Sequence, residues 1–217
     1  MGGRRDAQTV RSLLSRLGRT YAQDAGIRLA DRPAPLYQLL VLASLLSTRI
    51  SSEVALAAAR ELFEAGYRTP TAMLKASWQD RVDALGRGHY RRYDESTSTR
   101  LGAGAELLNQ RWHGDLRELR DEAGADAGRT GELLTEFAGI GPVGADIFLR
   151  EVQSTWPDIA PYFDARALDG AKELELPQDP IQLAALAGSD ADLARLAAAL
   201  VRVSRRPSEA EKIKAAS

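Results

Sequence analysis

Residues 133–152 read LLTEFAGIGPVGADIFLREV. Gly139 and Gly141 flank Ile140, and Pro142 follows. On either side lie apolar residues at helical spacing: Leu133, Leu134 and Phe137 before the turn, and Ala145, Ile147, Phe148 and Val152 after it. Glycine at 139 and 141 lets the chain take a positive φ or approach another backbone closely. Pro142 suits the first position of a helix, where its missing N–H costs nothing. Such a turn exposes backbone amides at the positive end of a helix, which is the chemistry that holds a phosphate. The residues that would make or shape that contact are Gly139, Ile140, Gly141, Val143 and Gly144, the last leaving room for tight helix packing. The same glycines would also serve a ligand-free connection between two helices, and the turn alone leaves both readings open.

The elements that must position this turn read as helix after helix. Val10, Leu13, Leu14 and Leu17 give a short amphipathic stripe. After Pro33 and Pro35, LYQLLVLASLL is nearly continuous in apolar residues and is expected to be a buried helix. Ser51 or Ser52 can cap the next helix, which should stop at Gly66. Thr69-Pro70 and Ser77 each start a further short helix. Residues 86–100 are expected to be an irregular loop, with a helix from near Thr97 to Trp112. DEAGADAGRTG then breaks the chain before a helical segment at 132–137. Near the end, Leu193, Leu196, Leu200 and Val203 share one face with Asp190 as the cap, and SEAEKIKAAS should fray. Trp78, Trp112 and Trp156 are expected in the core or at helix ends. The expected fold class is all-α, in two packed helical lobes.

Composition narrows the chemistry. The 217 residues contain no cysteine, so disulfides, thiolate-ligated zinc and an iron–sulfur cluster are ruled out. His89 and His113 alone leave little for a histidine-based metal centre, and only an all-carboxylate site stays open, so no side-chain metal ligand is assigned. No apolar run is long enough for a membrane span, and the start MGGRRDAQTVRSLL lacks the pattern of a secretory leader, so a cytoplasmic protein is expected. Net charge is −1, which speaks weakly against nucleic acid as a partner. Its distribution matters more: positive charge gathers at Arg4 and Arg5, between Arg81 and Arg100, and from Arg195 to Arg206.

FAGIGPVGADIF resembles the helix-hairpin-helix of the endonuclease III-like DNA glycosylase superfamily (the HhH-GPD superfamily). In that family the second hairpin helix and a short loop lead to a catalytic aspartate. Here TWPDIAPYFDARAL follows, and Asp164 falls where that residue should. The helix ending in LLSTRISS also resembles the family's early helix and the loop that reaches toward the flipped nucleotide. These matches run roughly from residue 36 to 170. The resemblance implies a two-lobed HhH-GPD fold, in which residues 34–142 form a central helical bundle ending in the hairpin and 1–33 together with 143–217 form a discontinuous second lobe. It also implies double-stranded DNA as partner, a monomer associated with the nucleoid when bound, and hydrolysis of the N-glycosidic bond of a damaged or modified base. It implies no organic cofactor, with a monovalent cation on the hairpin carbonyls as the one candidate. Arg49 would probe the space left by the flipped base, Arg166 would add a DNA contact, and Ser47, Thr48, Tyr90 and Tyr162 would border the base.

Two departures from the family pattern bear on mechanism. Bifunctional members carry a nucleophilic lysine where this chain has Val143, so base release without strand cleavage is expected. Arg166 stands where the family has a histidine. Hydrolysis develops oxocarbenium character at the sugar, which a fixed carboxylate can stabilise while orienting a water. Asp164 is the candidate for that role, and it can cap the helix beginning at Ala165 as well. Replacing it by Asn is expected to remove the charge and leave folding nearly intact. The alternative function is a non-catalytic DNA-binding or damage-recognition protein that retains the hairpin.

Overall fold

The computed structural model describes residues 2–216, and among them there are helices and no strands. In chain order the helices are α1 (Gly2–Leu17), α2 (Tyr21–Asp24), α3 (Pro33–Leu46), α4 (Ser52–Glu64), α5 (Pro70–Lys75), α6 (Trp78–Arg87), α7 (Asp94–Trp112), α8 (Leu116–Glu122), α9 (Ala127–Leu134), α10 (Pro142–Val152), α11 (Ala165–Glu173), α12 (Pro180–Ala187), α13 (Asp190–Arg205) and α14 (Pro207–Ala215). Among the described residues no helix is long and apolar enough to cross a membrane. The chain divides into two units: residues 22–149, and residues up to Tyr21 together with those from Arg150 onward. The divisions fall after Tyr21 and after Leu149, inside α2 and α10, whereas the sequence pointed to 33 and 142.

The 22–149 unit is built on α3. Proline in its first turn starts it, and Leu36, Tyr37, Leu39, Leu40, Leu42 and Leu45 are all buried. The apolar run is a helix buried on nearly all sides, as its unbroken hydrophobicity requires. Helix α4 packs on α3, capped by the Ser51 hydroxyl accepting from the Val54 amide. Helices α5 and α6 both pack on α7. Arg81 ties these three together from the inside, donating to the carbonyls of Met73, Ala76 and Ser98. Burial pushes its guanidinium below the usual arginine range. Carbonyl acceptors rather than a carboxylate satisfy this cation, so it serves as an internal staple.

Helix α7 starts at Asp94, three residues before the expected Thr97, and the irregular segment shrinks to 88–93. Tyr90 explains the difference, because its wholly buried ring anchors the segment against the bundle. Helix α9 likewise starts early, at Ala127, because Asp126 caps it through the Arg129 amide. Trp112 is buried as expected, and stacks on Phe137 with ring centroids 5.6 Å apart. Trp78 takes the helix-end alternative: it is the first residue of α6, 41% exposed, with its indole N–H donating to Thr99.

The second unit centres on the alanine-rich α13, against which α1, α11, α12 and α14 pack. Small side chains allow close approach here. A Cβ on Gly170 of α11 would lie 2.0 Å from the Leu200 carbonyl oxygen of α13, so only glycine fits. Arg195 and Arg202 donate to the Gly18 and Leu17 carbonyls at the end of α1. Trp156 is fully buried, also as expected. The tail is helical rather than frayed, since Ala210 and Ile213 of α14 are buried. Ser189, not Asp190, occupies the cap position of α13.

Candidate nucleic-acid interface and carboxylate site

The turn between α9 and α10 is shaped by a few local bonds. Phe137, pinned by Trp112, accepts at its carbonyl from the Ile140 amide at 2.9 Å. Gly139 takes φ +89°, a conformation that favours glycine. The Gly141 carbonyl accepts from the amides of Gly144 and Ala145, starting α10. Ile140 points inward and is buried, whereas Gly139, Gly141, Pro142 and Val143 are exposed. The amides of Gly139, Gly141 and Val143 have no acceptor among the described residues. Three outward donors thus sit at the positive end of an eleven-residue helix.

The loop after α3 packs on this turn. The Ser47 hydroxyl donates to the Ser44 carbonyl at 2.8 Å and lies 3.5 Å from the Gly139 carbonyl oxygen. A Cβ at Gly144 would stand 3.0 Å from Ile140 and 3.4 Å from Ser47, so the small residue sets this spacing. Ser47, Gly139, Ile140 and Gly144 therefore come together as one packed group. Thr48 turns away from them. Its hydroxyl donates to the Leu45 carbonyl and lies 2.5 Å from the Tyr90 hydroxyl. Tyr90 is fully buried, which corrects the expectation that it borders a base: no face of the ring is open to stack on one. Arg49 is exposed and makes no ion pair or hydrogen bond among the described residues.

Arg100 of α7 was missed from sequence. Its Cδ lies 2.7 Å from where a Cβ on Gly139 would stand, so the side chain lies across the turn. It is exposed and has no carboxylate partner among the described residues. The available signal was the cluster of positive charge ending at Arg100, but nothing in the spacing shows that α7 brings that residue to a turn 39 positions later. Behind the turn the Tyr37 hydroxyl is buried without a partner, and burial pushes its phenol well above the usual tyrosine range.

In the other unit, Asp164 occupies the N-cap of α11, with Oδ1 accepting from the Ala167 amide at 3.0 Å. Oδ2 accepts from Nη1 of Arg150 at 2.6 Å. Both side chains are buried, at 4% and 3% exposure, and Nε of Arg150 has no partner. Each oxygen of the candidate carboxylate is thus already engaged inside the protein. Arg150 is the second residue that sequence reasoning missed. An arginine on the inner face of an amphipathic helix at 142–152 was the signal for it. Gln153 holds the preceding segment, exchanging two 2.9 Å bonds with the Tyr162 backbone. The Tyr162 side chain is half-buried. Arg166 is exposed and, with Asp169, Lys172, Glu173 and Ser204, lines a cavity of about 550 Å³.

No protein-family model matches the chain, and no curated protein sequence matches it. Among solved structures, it is similar to a trapped endonuclease III–DNA covalent intermediate, an estranged-adenine complex. That similarity has a TM-score of 0.50 and 16% identity, and covers 94% of this chain and 86% of the other. The fold is endonuclease III-like. It is all-α, with the hairpin at 137–144.

Two features of this endonuclease III-like chain bear on what its site can do. Val143 is 43% exposed beside the unpaired amides. It presents two methyl groups and no amine. Asp164 has the cap position and the buried partner just described, so its charge faces a guanidinium before any ligand arrives.

Proposed function

We propose that the chain binds duplex DNA through backbone phosphate at the 139–143 turn and releases a damaged or modified base without cutting the strand. The observation that carries the proposal is the set of three exposed, unpaired amides at the start of α10. Donors so arranged suit a phosphate and read no base sequence. Arg100 and Arg49 add charge to that surface in the same unit. A monovalent cation would fit the turn, where the carbonyls of Ala138 and Ile140 accept no hydrogen bond among the described residues.

For base release, a water oxygen bonds to the sugar carbon as the bond to the base nitrogen breaks, and the proton passes to the departing base. Asp164 is the residue assigned to stabilise the sugar cation and orient that water. Val143 supplies no amine for an enzyme-linked imine, so the abasic sugar stays in an uncut strand. The protein acts as a monomer, in the cytoplasm and on the nucleoid.

A second reading is favoured by one observation: both oxygens of Asp164 are occupied, by Arg150 and by the Ala167 amide. A carboxylate compensated in this way gives a weaker field at a sugar, which points to a DNA-binding protein without catalysis. A panel of duplexes, each carrying one defined lesion, separates the two readings. After incubation each sample is divided and alkali is added to one half. Nicking only after alkali supports base release. A borohydride-trapped adduct refutes the strand-sparing mechanism, and retained duplex binding with no release across the panel selects the second reading.

A further inference from the structure

A cavity of about 460 Å³ opens in the 22–149 unit, where the segment after α2, the first turns of α3 and the end of α4 meet. Its volume is in the range of small-molecule sites, ~300–1,000 Å³. Arg28, Arg60 and Arg68 line it from three different segments, together with Gln38, Phe63 and Glu64. Arg60 donates from Nε and Nη2 to the Asp24 carbonyl, at 3.1 and 2.9 Å. Arg68 donates from Nε to the Phe63 carbonyl at 2.8 Å. These bonds cap the ends of α2 and α4 and hold two guanidiniums at the cavity wall. Of the five N–H donors on each guanidinium, Arg60 spends two and Arg68 one.

What sets this cavity apart is three arginines gathered on one concave surface. Several arginines elsewhere meet carboxylates, as in Arg87–Glu61, Arg111–Glu122, Arg117–Asp115 and Arg129–Glu132. Arg28, Arg60 and Arg68 form no ion pair among the described residues, although Glu64 lines the same cavity. Three arginines against one glutamate leave two positive charges uncompensated around a concave surface. Guanidiniums in that arrangement match the oxygens of a phosphate, and partial fixing lowers the entropy lost on binding. The cavity is also distinct from the hairpin surface. It adjoins the first turns of α3 at Pro35 and Gln38, while Ser47 and the hairpin lie beyond the last turn, a helical rise of about 14–18 Å away.

We propose that this cavity is a second anion site that takes a phosphate group, carried either by a small phosphate ester or by the backbone of DNA. The test compares thermal unfolding of the full chain in sodium phosphate and in sodium chloride at equal ionic strength and pH. Phosphate is expected to raise the midpoint beyond chloride. Arg28→Ala, which removes a side chain with no bond in the fold, should weaken phosphate binding on the order of tenfold, and Arg28→Lys should restore part of it. The source is read from duplex affinity against salt. A slope reduced by about 0.9 in Arg28→Ala assigns the site to DNA backbone phosphate. An unchanged slope with the phosphate effect lost assigns it to a small ester. Equal midpoints in phosphate and chloride, together with an unchanged slope, overturn the proposal.

Discussion

The hairpin turn and the Asp164 site handle their polar groups in opposite ways. At the turn, three amides and the Arg100 guanidinium face outward with nothing in the protein to satisfy them. At Asp164, a carboxylate and a guanidinium are buried and spent on each other. A surface that leaves donors open holds its binding capacity in reserve for a ligand. A buried pair is tied into the fold, so altering it disturbs folding before it disturbs anything else. Affinity should therefore respond to changes at the first region and stability to changes at the second.

The largest expected effect lies at the buried pair. Asp164→Ala leaves Arg150 buried and uncompensated, and chemical denaturation should show a loss of about 3–5 kcal/mol. Arg150→Met should cost a similar amount, and an apolar replacement of both residues should recover much of it. A loss below 1 kcal/mol on the order of a surface pair would erase the contrast. Asp164→Asn is subject to the same cost, so the sequence-based expectation of nearly intact folding no longer holds, and inactivity of that variant needs a folding control. Next comes the turn. Gly139→Val meets Arg100 and forces a β-branched residue to φ +89°, which should cost about 1–3 kcal/mol as well as affinity. Gly141→Ala meets no neighbour within 4 Å. It should leave stability within about 0.5 kcal/mol while weakening binding to every duplex by a similar factor.

Arg100→Ala and Arg49→Ala should each flatten the dependence of duplex affinity on salt by about 0.9 in log–log slope, with the unfolding midpoint unchanged. Unchanged slopes would remove these side chains from the interface. The smallest effect is a pH dependence away from both regions. Hydrogen bonds from the Ser77 hydroxyl and amide hold the Asp80 carboxyl below the usual aspartate range. Its contribution is complete above the ordinary aspartate range and is lost as pH falls through the depressed folded value. The stability gap between wild type and Asp80→Ala should accordingly be constant near neutrality and close in acid.

The contrast also shows why some parts of the molecule were legible in sequence and others were not. The hairpin residues are contiguous, and Gly139 and Pro142 state their backbone geometry through their own chemistry, whereas Gly141 takes no positive φ and has open space at a Cβ. Asp164 was legible as a helix cap because capping acts over three residues. Arg150 and Arg100 were not, because their partners lie 14 and 39 positions away and only the packing of helices brings them together. Tyr90 misled for the same reason. Its neighbours in sequence are charged, yet the groups around its ring and hydroxyl come from Thr48 and Thr97. The early start of α7 followed from that buried ring.

The contact of Gly170 with Leu200 limits how this chain could diverge. Two main chains meet there without a side chain between them, so the spacing of α11 and α13 has no adjustable shim. Elsewhere along the pair an alanine could become serine, or a leucine methionine, and neighbours would absorb the difference. At position 170 even one methyl group must push the helices apart, and α11 carries Asp164 at its head. Any lineage keeping this carboxylate at its cap inherits an obligation to keep a glycine six residues downstream. A saturation library read out by folding should show position 170 intolerant of every side chain, a scar left by distance rather than by chemistry.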